Sequence, residues 1–176
     1  AESSLGCQDS LMKTVVVHET PVAAYQVNDS TQCLVGNQFQ FTNQSVVGQG
    51  NLTYQWFFGN SDTSSASNPD QTFSTAGVFQ VELEAFSDNG CKDSAIHQME
   101  VYVHPQTGFS INDSSQCLGL NQFQLTNLTT GGNNYIWSFG DGNTNTSAQS
   151  QVSHVYGSTG SYDVSLVAAN SNGCRD

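Results

Sequence analysis

Asp141, Asn143 and Asn145 place side-chain oxygens at alternate positions, the spacing with which a calcium loop opens. Such a loop needs glycine at its sixth position and an acidic ligand at its twelfth, where this chain has Thr146 and Val152. The same residues also read as a hydrogen-bonded Asx turn. Four histidines, His18, His97, His104 and His154, are scattered along the chain, and no serine sits in a Gly-x-Ser-x-Gly elbow. No local pattern raises a carboxylate pKa or builds a pocket, so no catalytic residue is expected and the chain is read as not an enzyme. Calcium is the one cofactor considered. Five cysteines, Cys7, Cys33, Cys91, Cys117 and Cys174, point to an oxidising compartment.

The only basic residues besides histidine are Lys13, Lys92 and Arg175, and the net charge is −12. Such a chain repels phosphate backbones, which excludes nucleic acid as a partner. No run approaches the ~20 apolar residues of a membrane span. Ala1-Glu2-Ser3-Ser4 has neither the basic nor the apolar region of a signal peptide. The chain opens inside a repeat, so it is expected to be a piece of a longer protein.

The elements that would position these groups are strands. In Tyr135-Ile136-Trp137-Ser138-Phe139-Gly140-Asp141-Gly142-Asn143, three aromatics alternate on one face before glycine and Asp/Asn end the strand. Tyr54-Gln55-Trp56-Phe57-Phe58-Gly59-Asn60-Ser61-Asp62 is an earlier copy, and the two copies hold both tryptophans. Each Trp is expected to centre a core. Asn28-Asp29-Ser30, Cys33-Leu34 and Asn37-Gln38-Phe39-Gln40 recur 84 positions later, from Asn112, Cys117 and Asn121. Gly77, Phe79, Val81 and Leu83 recur as Gly160, Tyr162, Val164 and Leu166. Gly6-Cys7-Gln8-Asp9-Ser10 matches Gly90-Cys91-Lys92-Asp93-Ser94 and, at the end, Gly173-Cys174-Arg175-Asp176.

The expected organisation is therefore the tail strand of an upstream repeat at 1–20, a complete repeat at 21–104, and a repeat at 105–176 that lacks its last strand. The tail and the open edge suit each other, so one isolated molecule could complete another by strand addition. Strands are expected at Ala23–Val27, Phe39–Asn43, Leu52–Phe58, Gln71–Phe73, Val78–Ser87 and Ala95–Val103, with a strand-like run at Thr14–His18. In Val78–Ser87, Phe79, Val81, Leu83 and Ala85 should face inward. Short strands, frequent turns and no 3.6-residue period predict an all-β, two-sheet antiparallel sandwich.

The motifs Trp137-Ser138-Phe139-Gly140-Asp141-Gly142, His154-Val155-Tyr156 and Gly160-Ser161-Tyr162-Asp163-Val164-Ser165-Leu166 resemble the polycystic kidney disease (PKD) repeats. The resemblance implies tandem immunoglobulin-like sandwiches over nearly the whole chain. The first repeat departs from the pattern, with Gly59-Asn60-Ser61 for Gly-Asp-Gly and Gln71-Thr72-Phe73 for His-x-Tyr, but it keeps an Asn68-Pro69 turn. Any function of Asp141 or His154 thus cannot be shared by both repeats. His154 matches a family histidine whose role is structural.

The added cysteines resemble those of repeats in giant surface adhesins of Bacteroidetes, gliding-motility adhesins of the type IX pathway among them. That likeness implies an extracellular, cell-surface stalk. Its partners would be neighbouring repeats of the same chain, like chains in a bundle or filament, and an unidentified surface ligand or polysaccharide, with no direct membrane insertion. The alternative is a non-catalytic accessory module of a secreted hydrolase, binding polysaccharide or collagen. In an immunoglobulin-like sandwich, Cys33 and Cys91 should lie at opposite ends. An inter-repeat Cys33–Cys174 bridge is therefore favoured over Cys33–Cys91 and Cys117–Cys174, with Cys7, Cys91 and Cys117 pairing to further repeats. Asp-Ser pairs at Ser10, Ser30, Ser94 and Ser114 resemble Bacteroidetes O-glycosylation sites. Asn-x-Ser/Thr sequons at Asn28, Asn43, Asn51, Asn112, Asn127 and Asn145 are attributed to chance in so Asn-rich a chain.

Overall fold

A computed structural model describes residues 10–176. Among them there is no α-helix. The strands are β1 Tyr25–Val27, β2 Thr31–Cys33, β3 Phe39–Asn43, β4 Leu52–Phe57, β5 Thr63–Ser64, β6 Asp70–Gln71, β7 Gly77–Ser87 and β8 Lys92–Tyr102. They continue as β9 Phe109–Ile111, β10 Phe123–Asn127, β11 Asn134–Ser138, β12 Thr144–Asn145, β13 Gln151–His154 and β14 Ser165–Ala169. Four sheets form, with strand orders β1-β3-β6, β2-β8-β7-β4-β5, β13-β10-β9 and β12-β11-β14. The fold is all-β and immunoglobulin-like.

The long alternating segments form strands close to the expected bounds. One expectation is corrected. Residues 10–20 form no strand, because a strand exists only where a neighbouring edge accepts its backbone groups. Conversely, the structure has a strand that the sequence did not announce: β2, which Cys33 ends ahead of β3, runs parallel to β8, with Thr31 opposite Glu100 and Cys33 opposite Tyr102. A three-residue polar strand carries no hydrophobic alternation to announce it.

Contacts group the chain into two compact units. Among the described residues, one holds 10–26 with Phe41–Pro69 and Val81–His97; the other holds Val27–Gln40, Asp70–Gln80 and Gln98–Asp176. In the first, Trp56 is fully buried and meets Tyr25 edge-on with ring centroids 5.0 Å apart. Phe41 and Phe58 complete the aromatic cluster: Phe41 meets Tyr25 edge-on and is tilted against Trp56 and Phe58, and the Phe58 ring lies parallel to that of Trp56. Val81, Leu83 and Ala85 of β7 are fully buried, as their alternation predicts. The Tyr25 hydroxyl donates to the Val81 carbonyl at 2.7 Å and accepts from the His97 N–H at 3.1 Å. Burial pushes this phenol up to about 12.

In the second unit, Trp137, Leu125, Phe139, Val152, Tyr156 and Leu166 form the core. The Tyr156 hydroxyl donates to the Phe139 carbonyl at 2.7 Å. The turn after β11 needs glycine at Gly140. Its φ is +81°, and a Cβ there would stand 2.7 Å from the Asp163 carbonyl oxygen. Two residues on, Gly142 has φ +90°, whereas its counterpart Ser61 holds φ +76° with a side chain attached.

The two turns should therefore respond oppositely to mutation. Left-handed backbone costs a non-glycine residue roughly 1–2 kcal/mol, partly offset by the extra unfolded-state entropy of glycine. Ser61→Gly is expected to raise stability by about 0.5–1 kcal/mol. Gly140→Ala, which adds a backbone clash to the strain, is expected to lower it by at least about 2 kcal/mol. Urea unfolding of the two variants checks both signs.

Candidate functional site

Two supports position the cysteines that are bonded to each other. On one side, β8 holds β2 in parallel register, and the Leu34 N–H donates to the Tyr102 carbonyl at 2.8 Å, which fixes the residue after Cys33. On the other, β14 turns back through Asn170–Cys174. The Asn170 N–H donates to the Cys174 carbonyl at 3.0 Å, and Asn170 Oδ1 accepts from the Cys174 N–H at 3.0 Å. Cys33 and Cys174 are joined, with S–S 2.03 Å and Cα atoms 5.6 Å apart, across a sequence separation of 141. Cys174 is buried.

Two polar contacts lie close to Cys174 in sequence. Asn170 Nδ2 donates to the Val103 carbonyl at 2.8 Å, and Asp176 Oδ2 accepts from the Thr107 N–H at 2.7 Å. The hydrogen bond from Thr107 holds the Asp176 carboxyl below its ordinary value. Since Cys33 is joined to Cys174, neither Cys33–Cys91 nor Cys117–Cys174 is made. Cys91 and Cys117 are free thiols, the first half-buried and the second exposed. Cys7 lies outside the described residues.

Asp141, Asn143 and Asn145 lie in turns in which the side-chain oxygens of Asp141 and Asn145 already accept protein donors. Asp141 Oδ1 accepts from the Asn143 N–H at 3.0 Å, and Oδ2 from Asn143 Nδ2 at 2.9 Å. Asn145 Oδ1 accepts from the Ser147 N–H at 2.6 Å. His154 Nε2 lies 2.8 Å from Asp141 Oδ2, and its ring stacks on Phe139 with centroids 4.1 Å apart. Burial acts to raise the Asp141 carboxyl, but the hydrogen bonds from His154 and Asn143 outweigh it and hold the group at about 2. Among the described residues, no group of three or more His, Cys, Asp or Glu could hold a metal ion.

The other histidines stand apart. His18 is exposed, the His97 ring meets Tyr25 edge-on, and His104 Nδ1 lies 2.7 Å from the Pro105 carbonyl oxygen. Ser10, Ser30, Ser94 and Ser114 are all exposed. Asp29 and Asp113, just before Ser30 and Ser114, each accept the N–H two residues on at 2.9 Å.

Asn37 and Asn121 appear in the sequence only as a repeat match, yet both are buried hubs. Asn37 Nδ2 donates to the Leu34 and Phe73 carbonyls at 2.8 and 2.9 Å, and its Oδ1 accepts from the Phe73 N–H at 2.7 Å. Asn121 repeats the pattern with Leu118 and Tyr156. An Asn at matching positions just before an aromatic strand was the available signal.

The model of the PKD domain matches residues 18–103 and again 107–176. The chain belongs to the PKD domain family. Among solved structures, this PKD chain is similar to the PKD1 domain of Vibrio anguillarum Epp, at 27% identity over 49% of this chain and 99% of that one, with a TM-score of 0.44. It is also similar to the PKD1 domain of the Vibrio cholerae metalloprotease PrtV, at 28% identity over 47% and 98%, with a TM-score of 0.42. A carbohydrate-binding module of the β-sandwich superfamily matches 88% of this chain and 86% of its own at 11% identity, with a TM-score of 0.46. No helix among the described residues is long and apolar enough to cross a membrane.

Two outcomes are expected. A non-reducing digest should recover the Cys33 peptide linked to the Cys174 peptide, and the Cys33→Ser, Cys174→Ser double variant should lose about 2–4 kcal/mol of stability. Recovery of a Cys33–Cys91 peptide would contradict the pairing. The second concerns pH. A carboxyl lowered from its ordinary 3.8 to about 2 stabilises the fold above pH ~4, and that contribution is lost as pH falls toward 2. The Tm gap between wild type and Asp141→Asn should therefore be constant from pH 7 to about 4 and close between pH 4 and 2. A gap that persists at pH 2 would show that Asp141 does not act through its charge.

Proposed function

We propose that this chain is a length of an extracellular, cell-surface stalk: tandem PKD units, at 21–104 and 105–176, that hold an adhesive region of a longer protein away from the cell. The role is mechanical and non-catalytic. The observation that carries this reading is the Cys33–Cys174 bridge, which ties a residue of the first PKD match to one of the second. A cross-link between successive units limits bending and resists extension in a way that a hydrophobic contact alone does not.

The same logic extends to Cys91 and Cys117, which occupy the positions of Cys174 and Cys33 in the repeat and would bond to flanking units of the same kind. Gliding-motility adhesins exported by the type IX pathway are the class of surface protein this reading favours. The exposed Ser10, Ser30, Ser94 and Ser114 are its candidate O-glycan carriers, and like chains in a bundle its candidate partners. Calcium is not needed for this role.

Negative-stain electron microscopy of the full-length protein, purified from its source, tests the reading. A thin filament with a beaded period of about one domain is the expected result. A compact particle dominated by one globular lobe would overturn it in favour of an accessory module attached to a hydrolase.

A further inference from the structure

Cys33 and Cys174 are joined across a sequence separation of 141, with their Cα atoms 5.6 Å apart. The bridge closes residues 34–173 into a covalent loop. That loop holds β3 to β14, both tryptophans and both buried asparagines, Asn37 and Asn121. When the chain is pulled along its length, tension that arrives at Cys33 crosses the two sulfurs and leaves at Cys174. No residue between them can be drawn out while the S–S bond holds.

The residues just before Cys33 do carry tension, and their bonds end on the loop. The Val22 N–H donates to the Val46 carbonyl at 2.8 Å, and the Val46 N–H donates back at 3.0 Å. The Ala23 N–H donates to Asp93 Oδ2 at 2.9 Å, and the Asn28 N–H to the Gln40 carbonyl at 3.2 Å. The Glu100 N–H donates to the Ser30 carbonyl at 2.8 Å, and β2 continues that ladder as far as Cys33. Hydrogen bonds exchange with water at little net cost, whereas the disulfide is covalent. Pulling therefore strips β1 and β2 at most and then meets the bridge. Of Tyr25, Phe41, Trp56 and Phe58, only Tyr25 precedes Cys33.

We propose that the Cys33–Cys174 bridge is a redox-controlled bypass for tension. Closed, it shields residues 34–173 from load; reduced, it releases them to extend. The proposal deepens the stalk reading and rests on it for the source of the load. Cys174 is buried and Cys33 half-buried, so a reducing thiol reaches the bridge from the Cys33 side. Two electrons and two protons from an external dithiol convert the S–S bond to two thiols, and the dithiol closes to its own disulfide.

The separation of 141 also exceeds the 84-residue offset between Cys33 and Cys117. Where Cys91 and Cys117 bond to flanking units in the same pattern, successive loops overlap, and every residue in the interior of an array lies inside at least one of them. Loss of this bridge alone would then free only residues 92–116, about 90 Å of extended chain, instead of the ~480 Å held by the loop.

Single-molecule force spectroscopy on the 176-residue chain tests the bypass, with a handle on each terminus and the free thiols alkylated with iodoacetamide in the absence of reductant. The oxidised chain should lengthen by no more than about 110 Å, the extended length of the 32 residues before Cys33. Dithiothreitol added under constant load should then release a further ~480 Å, the 141 steps of the loop less the 5.6 Å between its ends. The Cys33→Ser, Cys174→Ser double variant should reach that length without reductant. A reductive gain near ~200 Å would mark a bridge within one repeat, Cys33–Cys91 or Cys117–Cys174, and would overturn the proposal. An oxidised chain that extends to its full length, or a reduced one that gains nothing, would overturn it as well. In the full-length protein an isolated reductive event should release about 90 Å, and a release near ~480 Å would overturn the overlap of loops. The lengths measured on the 176-residue chain do not depend on the particle shape seen by electron microscopy, so the bypass and the stalk reading fail separately.

Discussion

Each aromatic cluster beside a cysteine loop is closed by one buried amide. Asn37 and Asn121 carry no charge, so burial costs them little once their donors and acceptor are matched, and all three roles are filled by backbone groups. The amide ties the loop that follows Cys33 or Cys117 to the strand region ending in Phe73 or Tyr156. The aromatic stacks in turn rest on that tie, with Phe73 on Phe79 at 3.9 Å and Tyr156 on Tyr162 at 4.0 Å. An aspartate there would lack the two donors, and a leucine would leave two carbonyls and an N–H buried without partners.

Around this shared hub the two repeats solve local problems differently. Where the first has Tyr25, whose hydroxyl links Val81 to His97, the second has Phe109, packed edge-on against Trp137. The second repeat instead has the Asp141–His154 pair, which ties the Gly-Asp-Gly turn to β13, and the first has Asn60 and Gln71 at those positions. The pair thus belongs to one repeat's turn and not to a chemistry common to both, which agrees with a structural role.

The cysteines follow a different economy from the cores. A small β-domain with few charges gains little from ion pairs; among the described residues, Lys92–Glu84 at 2.6 Å and the Asp141–His154 pair are the recorded ones. Polar turns and one covalent bond do what charge networks do elsewhere. With a sequence separation of 141, the disulfide removes a large share of unfolded-state freedom in the chain-entropy account.

The sequence by itself determined the β class, the duplicated tryptophan cores and the inward face of β7, because these depend on period-two alternation and on turn residues a few positions away. The Asx turn at Asp141 was legible for the same reason: its bonds span two residues. Tertiary structure alone decided that β2 is a strand parallel to β8 and that Asn37 and Asn121 are hubs. It also decided that the apolar run at 11–18 remains outside any sheet. Each of these depends on which distant backbone edge or side chain comes within hydrogen-bond or bonding reach. A run with strand composition becomes a strand only where such an edge is present.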